Sequence, residues 1–245
     1  MRDFVGLIPA RYASRRYPGK PLCDLLGRPM IVRVYQRTIK WDKFDRVYVA
    51  TDDKKIFNVC GSYNIPCIMT GKYHVDCLDR ASEAAAYLEA TDKGAKKYII
   101  IQGDEPLFNV EILNVKYDDD CVNFYTESIT DVSDPNAVKV VMDCSGKALY
   151  FSRFSIPYCK PETTRRNDLF IPIRKQIGIY IFTSDMLKIY NQLESSMLEN
   201  AEGIGLNRLL ENGYVVTMKY TPFDSISIDT PEDRDKVLKL MEKRL

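Results

Sequence analysis

The chain has 245 residues, 45% hydrophobic and 28% charged, with a formal net charge of +1. That length and ordinary globular composition fit one domain, or one domain with a lobe. A near-neutral charge argues against a nucleic-acid partner, and no apolar run is long enough for a membrane role.

Residues 2–8 read as a buried strand that stops at Pro9. The loop after it carries Arg11, Arg15 and Arg16 and then Pro18-Gly19-Lys20. Guanidinium forks, an ammonium and backbone N–H groups on such a loop suit a polyphosphate, although the Walker pattern is absent. Pro29 opens a predicted helix at its first turn, running through Met30, Ile31, Val34, Tyr35 and Ile39. A strand at 47–50 ends in Thr51-Asp52-Asp53, which caps a helix at 54–62. A short strand at 66–69, a helix at 79–90 and an apolar strand at 98–101 follow, the last ending in Gln102-Gly103-Asp104-Glu105-Pro106.

Strands alternating with helices predict right-handed βαβ units and a parallel sheet covered on both faces. Ligands gather at the carboxyl ends of such strands. The basic loop, Thr51-Asp52-Asp53 and Gln102-Gly103-Asp104 should therefore share one edge. The second half changes character. Strands are expected at 121–127, 138–142, 148–151 and 177–182, with a hairpin turn at 143–146 and a polar, Arg-rich loop at 160–175. Helices are expected at 184–192 and 199–211, then a strand at 214–220. A final helix at 231–243 has Thr230 as cap and Pro231 in its first turn.

Asp104 ends an apolar strand, where a carboxylate can hold a hard cation such as Mg2+. Mg2+ sites use one or two carboxylates plus substrate phosphates, and Asp229, before a capped helix, is the best second candidate. Seven cysteines without C-x-x-C spacing, and no leader sequence, predict free thiols in a reducing, cytoplasmic setting. His74 is the single histidine, so chemistry needing two is excluded.

The stretch I-P-A-R-Y-A-S-R-R-Y-P-G-K-P-L (8–22) resembles the signature loop of the 3-deoxy-manno-octulosonate cytidylyltransferases, the CMP-Kdo synthetases. The likeness continues in order through G-R-P-M-I and V-Y-Q-R (27–37), V-A-T-D-D (49–53), H-x-x-x-x-D-R (74–80), Q-G-D-E-P (102–106), D-P-N-A-V-K-V-V (134–141), A-L-Y-F-S-R-F-S-I-P-Y (148–158), I-G-I-Y (177–180) and D-T-P-E-D (229–233). The resemblance implies a single Rossmann-like nucleotidyltransferase domain over 1–245. Its mixed, mainly parallel α/β sheet would be flanked by helices, with a smaller β-rich dimerisation lobe around 122–182 and a homodimeric state. It implies transfer of CMP from CTP to a small acidic, Kdo-like acceptor with Mg2+ as cofactor. Arg11 and Lys20 resemble the triphosphate contacts, Arg16 the phosphate and acceptor side, and Pro9 and Ala10 the readers of cytosine through backbone groups. Asp104 and Asp229 resemble the metal ligands, and Arg80 a nucleotide contact. His74 stands either on the nucleotide side or as a packed surface histidine. Gln102, Arg153, Tyr180, Gln176 and Asn207 fall at acceptor-side positions.

The chain departs from the family pattern in particular places. Asp76-Cys77-Leu78 stands where S-G-T is usual before D-R, and Asp76 would add negative charge near the triphosphate path. Gln176 replaces a histidine. In the E-S-L-E-Q-L-R segment the chain reads Glu202-Gly203-Ile204-Gly205-Leu206-Asn207-Arg208, so Gly205-Leu206 takes the place of a Glu-Gln pair, and the two helical glycines call for a local reason. Region 109–127 is shorter than usual. These changes cluster on the acceptor side and raise the expectation of an altered acceptor: a modified ulosonic acid, another small acid or a phosphonate. Two further readings are a nucleotide-binding scaffold without turnover and a transferase using another nucleotide.

Overall fold

The structure is a computed structural model that describes residues 2–14, 16–128, 131–160 and 172–243. Arg15 and most of the Arg-rich stretch 160–175 lie outside the described residues. In chain order the elements are β1 (Arg2–Ala10), a 3-10 turn (Lys20–Leu22), α1 (Met30–Thr38), β2 (Arg46–Thr51), α2 (Lys54–Ser62), β3 (Cys67–Met69), α3 (Cys77–Ala90) and β4 (Ala95–Ile101). A second 3-10 turn (Val110–Leu113), β5 (Cys121–Thr126), β6 (Lys139–Met142), β7 (Ala148–Ser152) and β8 (Lys175–Thr183) follow. The chain then forms α4 (Ser184–Gln192), α5 (Met197–Glu202), α6 (Leu206–Glu211), β9 (Thr217–Tyr220) and α7 (Pro231–Glu242).

The strands join one open sheet in the order β3-β2-β1-β4-β8-β5-β9. The first four run parallel, β8 runs antiparallel to both β4 and β5, and β5 pairs parallel with β9. Strand alternation sends successive side chains to opposite faces. Ile8, Ile99 and Ile101 pack with α1, α2 and α7 on one side. Val5, Leu7, Tyr98 and Ile100 pack with α3, α4 and α6 on the other. Burial on both faces is why these strands read as continuous apolar runs. The stretch 122–182 contributes β5 and β8 to the central sheet. The part that leaves it is the antiparallel β6–β7 hairpin, turned at Gly146 (φ 81°) and tied back through Lys139 to Lys175 of β8.

Three local expectations are corrected. Pro29 is the residue before α1, with extended ψ of 144°, and not part of its first turn. The helix expected from 79 starts at Cys77, because the Asp76 carboxylate accepts a 2.8 Å hydrogen bond from the Asp79 N–H and caps it. Asp76 therefore serves as the cap of that helix. The helix expected over 199–211 is two short ones. Gly203 closes α5 in a left-handed conformation (φ 64°), a backbone region that glycine reaches at least cost. Gly205 then opens α6 with no room for a side chain, since a Cβ there would overlap the Asp76 carboxylate and lie 2.7 Å from the Tyr190 hydroxyl. The two glycines that looked costly in one helix are what allow the break and the close approach.

Candidate active site at the carboxyl ends of the strands

Register places the site. Pro9 pairs with Ala50 and Ala10 with Thr51, while Leu7 pairs with Ile100. The ends of β1, β2 and β4 therefore open on one edge, as expected for parallel strands. Gln102 extends the ladder by donating its N–H to the Gly178 carbonyl at 3.1 Å. The turn at Gly103 then presses on β1, where a Cβ would come within 2.7 Å of the Pro9 carbonyl. Asp229 arrives from the far end of the chain by a backbone bond: the Ile228 N–H donates to the Asp104 carbonyl at 2.9 Å. The α7 capping box holds it there, with Asp233 accepting from the backbone N–H groups of Asp229 and Thr230.

The two acids meet on one cation. Lys20 donates from Nζ to Asp104 Oδ2 at 2.7 Å and to Asp229 Oδ1 at 2.9 Å. Lys20 is only 9% exposed, so this triad is largely out of water. Burial pulls the Lys20 pKa down, but Asp104 and Asp229 pull the other way and the net shift is upward. Arg16 joins the cluster through a 3.0 Å ion pair to Asp229 and donates to Asn136 at 2.6 Å, linking the basic loop to the 134–137 turn. Arg11 is exposed and donates to the Val75 carbonyl at 3.3 Å. Pro9 and Ala10 end β1 at the same edge.

On the β8 side, Gln102 Nε2 donates to the Tyr180 hydroxyl at 2.9 Å and lies 3.9 Å from Cys77 Sγ. Burial raises the Tyr180 phenol well above its usual value, so it acts as a neutral hydrogen-bonding group. Gln176 is 9% exposed, and its Nε2 has no hydrogen-bond partner among the described residues. Asp104 Oδ1 and Glu105 Oε2 are likewise buried without a partner among them. Unpaired buried polar atoms cost about 1–3 kcal/mol each, so these three atoms are open to a partner at this edge.

Other expected site residues have structural occupations. Arg80, 2% exposed, donates to Thr70 Oγ1 at 2.6 Å, the Gly71 carbonyl at 3.2 Å and Asp52 at 3.2 Å, pinning α3 to the ends of β2 and β3. His74 pairs with Glu83 of α3, which also accepts from the Gly71 N–H at 2.9 Å, and the His74 ring lies tilted against that of Tyr73. Of the two places left open for it, the packed histidine matches this arrangement. Arg153 donates to the Glu202 carbonyl at 2.6 Å, the Pro135 carbonyl at 2.9 Å and the Gly203 carbonyl at 3.2 Å, which caps the end of α5. Asn207, expected on the acceptor side, is fully buried, and its amide exchanges hydrogen bonds with the Phe151 backbone. It is a pin between α6 and β7.

Sequence reasoning passed over Glu105, although the Q-G-D-E-P stretch displays it. It is 6% exposed and packs against Gly178. Burial, with the Asp104 charge adding to it, pushes its carboxyl up to about 7. An acid raised above its ordinary value stabilises the fold most below pH ~4.5, and that contribution is lost as pH rises through about 7. Glu105→Gln is therefore expected to flatten the pH dependence of metal-free stability, gaining up to about 3 kcal/mol relative to wild type between pH 5 and 8. Urea unfolding at the two pH values measures it, and an unchanged difference between the two proteins rejects the assignment.

Comparison with known proteins supplies the family. The sequence model of the family described as cytidylyltransferase matches residues 5–228. A 3-deoxy-manno-octulosonate cytidylyltransferase of Syntrophobacter fumaroxidans is 38% identical over 246 residues, covering 97% of this chain and 96% of that protein. The mitochondrial 3-deoxy-manno-octulosonate cytidylyltransferase of Arabidopsis thaliana is 36% identical over 98% of this chain and 83% of its own length. Among solved structures, a CMP:2-keto-3-deoxy-manno-octonic acid synthetase complexed with CTP superimposes with a TM-score of 0.86 at 35% identity, covering 99% of this chain and 100% of that one. No described helix is long and apolar enough to cross a membrane. By the family model over most of its length, relatives at over 35% identity along nearly the whole chain and the close superposition, the chain belongs to the cytidylyltransferase family and is a nucleotidyltransferase.

Proposed function

We propose that the protein transfers CMP from CTP to 3-deoxy-manno-octulosonate (Kdo) or a close Kdo-type acid, releasing pyrophosphate. The observation that carries this reading is the Lys20 ammonium seated between Asp104 and Asp229 at the root of the basic loop. The names of the relatives and the CTP held by the structural relative support the two substrates.

The chemistry asks the protein for position and charge more than for an acid or base. A hydroxyl of the acceptor forms its bond to the α-phosphorus, the bond to the bridging oxygen breaks, pyrophosphate leaves, and the hydroxyl proton passes to water. Arg11, Arg16 and Lys20 neutralise the triphosphate, and the β1 end at Pro9 and Ala10 faces the base. Gln102 and Tyr180 orient the acceptor. Asp104 and Asp229 are the residues that would hold Mg2+. Their fit rests on two carboxylates sharing one cation and on the unpartnered Asp104 Oδ1, which matches a metal completed by substrate phosphates. Bound there, Mg2+ supplies further neutralisation of phosphoryl oxygens.

The reading includes a cytoplasmic setting, supported by seven unpaired cysteines. It also includes a homodimer formed through the β6–β7 side, supported by Leu149, Phe154 and Tyr158, which are 61%, 80% and 83% exposed. Purified protein incubated with CTP, Kdo and Mg2+ is expected to release pyrophosphate, with UTP, ATP and GTP far poorer donors. CTP binding without pyrophosphate release, with Kdo and across other small acids, would replace the enzyme by a nucleotide-binding scaffold.

A further inference from the structure

Arg16 has two anchors, and only one of them belongs to the acid cluster. Its Nη2 pairs with Asp229 Oδ1 at 3.0 Å. Its Nη1 donates to Asn136 Oδ1 at 2.6 Å, across 120 residues of sequence.

Asn136 does not hold its own turn together. An asparagine in a turn ordinarily bonds the local backbone with its side chain. Here Asp134 takes that part: its carboxylate accepts from the Asn136 N–H at 2.8 Å, and its carbonyl accepts from the Ala137 N–H at 3.2 Å. Two further side chains grip the same turn. Lys139, fully buried, donates to the Asp134 carbonyl at 2.7 Å and to the Arg153 carbonyl at 2.9 Å. Arg153 in turn donates to the Pro135 carbonyl at 2.9 Å. An ammonium taken out of water is costly unless hydrogen-bonded, and one of those bonds fixes this turn. The Asn136 amide, itself exposed, is presented to Arg16 from a firmly held base.

Geometry and charge say what the bond does. The Arg16 side chain is half exposed, and a long side chain left free must be ordered each time it meets a ligand. Holding both terminal nitrogens sets the position and the plane of the guanidinium fork. The Asp229 anchor is anionic and offsets part of the guanidinium charge. An amide oxygen is neutral and leaves that charge available to a phosphate.

We infer that Asn136 is a positioning residue, holding the Arg16 guanidinium over Asp229 ready for the polyphosphate of the nucleotide. The inference rests on the proposed function for the identity of that ligand, and its test separates the two. The variants are Arg16→Ala, Asn136→Ala and the double variant. Each is assayed by calorimetric CTP binding, by pyrophosphate release with CTP, Kdo and Mg2+, and by thermal melting. Asn136→Ala should melt within a few degrees of wild type, because Asp134, Lys139 and Arg153 still close the turn. It should weaken CTP binding and lower kcat/KM for CTP about tenfold, the scale of ordering one arginine side chain. Arg16→Ala should lose more. In the Arg16→Ala background, removing Asn136 should change neither quantity by more than about twofold, since residues that act through one contact are not additive.

CTP binding and kcat/KM within about twofold of wild type in Asn136→Ala overturn the inference. So does a double variant that falls below Arg16→Ala by the full factor seen for Asn136→Ala alone, which would give Asn136 a part independent of Arg16. Wild type that binds CTP but releases no pyrophosphate removes the transfer reading, and the binding cycle alone then decides the inference. Wild type that does neither removes both.

Discussion

Asp229→Asn is expected to lower turnover on the order of a thousandfold while leaving the protein folded. Asp229 shares Lys20 with Asp104 and carries the ion pair to Arg16, so the substitution removes one of two negative charges from a nearly dry site. Groups preorganised around developing phosphoryl charge are each worth about 10²–10³ in rate, and on the proposed reading, in which Asp104 and Asp229 would hold Mg2+, the loss falls at the upper end. Lys20 keeps Asp104 as partner, and the Ile228–Asp104 backbone bond and the α7 capping box do not depend on the Asp229 carboxylate. Melting within a few degrees of wild type, with pyrophosphate release near background, is the expected pair of results. Retention of a tenth or more of wild-type turnover would remove Asp229 from the catalytic group.

Arg208→Ala should have the largest effect on stability. Arg208 is 4% exposed, and its guanidinium forks onto Glu199 at 2.7 and 2.5 Å, reaches Asp79 at 2.9 Å and stacks on the Tyr190 ring at 4.4 Å. This one side chain clamps α6 to α5 and to the first turn of α3. Truncation leaves Glu199, itself 4% exposed, as a buried charge without its partner, a loss of about 3–5 kcal/mol. For a chain of this size that is a fall in Tm of about 10 °C. Arg208→Lys retains the charge and loses the fork, so it should fall between the two. A loss under about 1 kcal/mol in Arg208→Ala, by chemical unfolding, would show that the cluster relaxes freely.

The alternation of strands and helices was legible because each central strand is buried on both faces and each helix carries its apolar residues at helical spacing. Their places at element ends marked Asp104 and Asp229 as candidates, but that the two acids meet on Lys20 is a tertiary fact. What the chain hid were long-range occupations of polar residues. Arg80 and Asn207 are buried and bonded to neighbouring backbone and side chains, which their motifs do not announce. Nothing local distinguishes a pin from a contact. The split between α5 and α6 was hidden for a similar reason, since apolar periodicity continues through Leu206, Leu209 and Leu210, and the close approach of Asp76 to Gly205 is a tertiary fact. Asp76 itself was readable: an acidic residue three before Asp79, at the head of an apolar helix, is a capping signal. It was instead weighed as a charge near phosphate.

The backbone bond from Ile228 to Asp104 means that the second acid comes from a stretch synthesised well after the first. A growing chain can fold β1 to β4 and display its cationic loop long before it possesses both carboxylates. Until residue 229 is made, Lys20 and Asp104 stand without the second carboxylate, so the cationic loop and its acids become one cluster only late in synthesis.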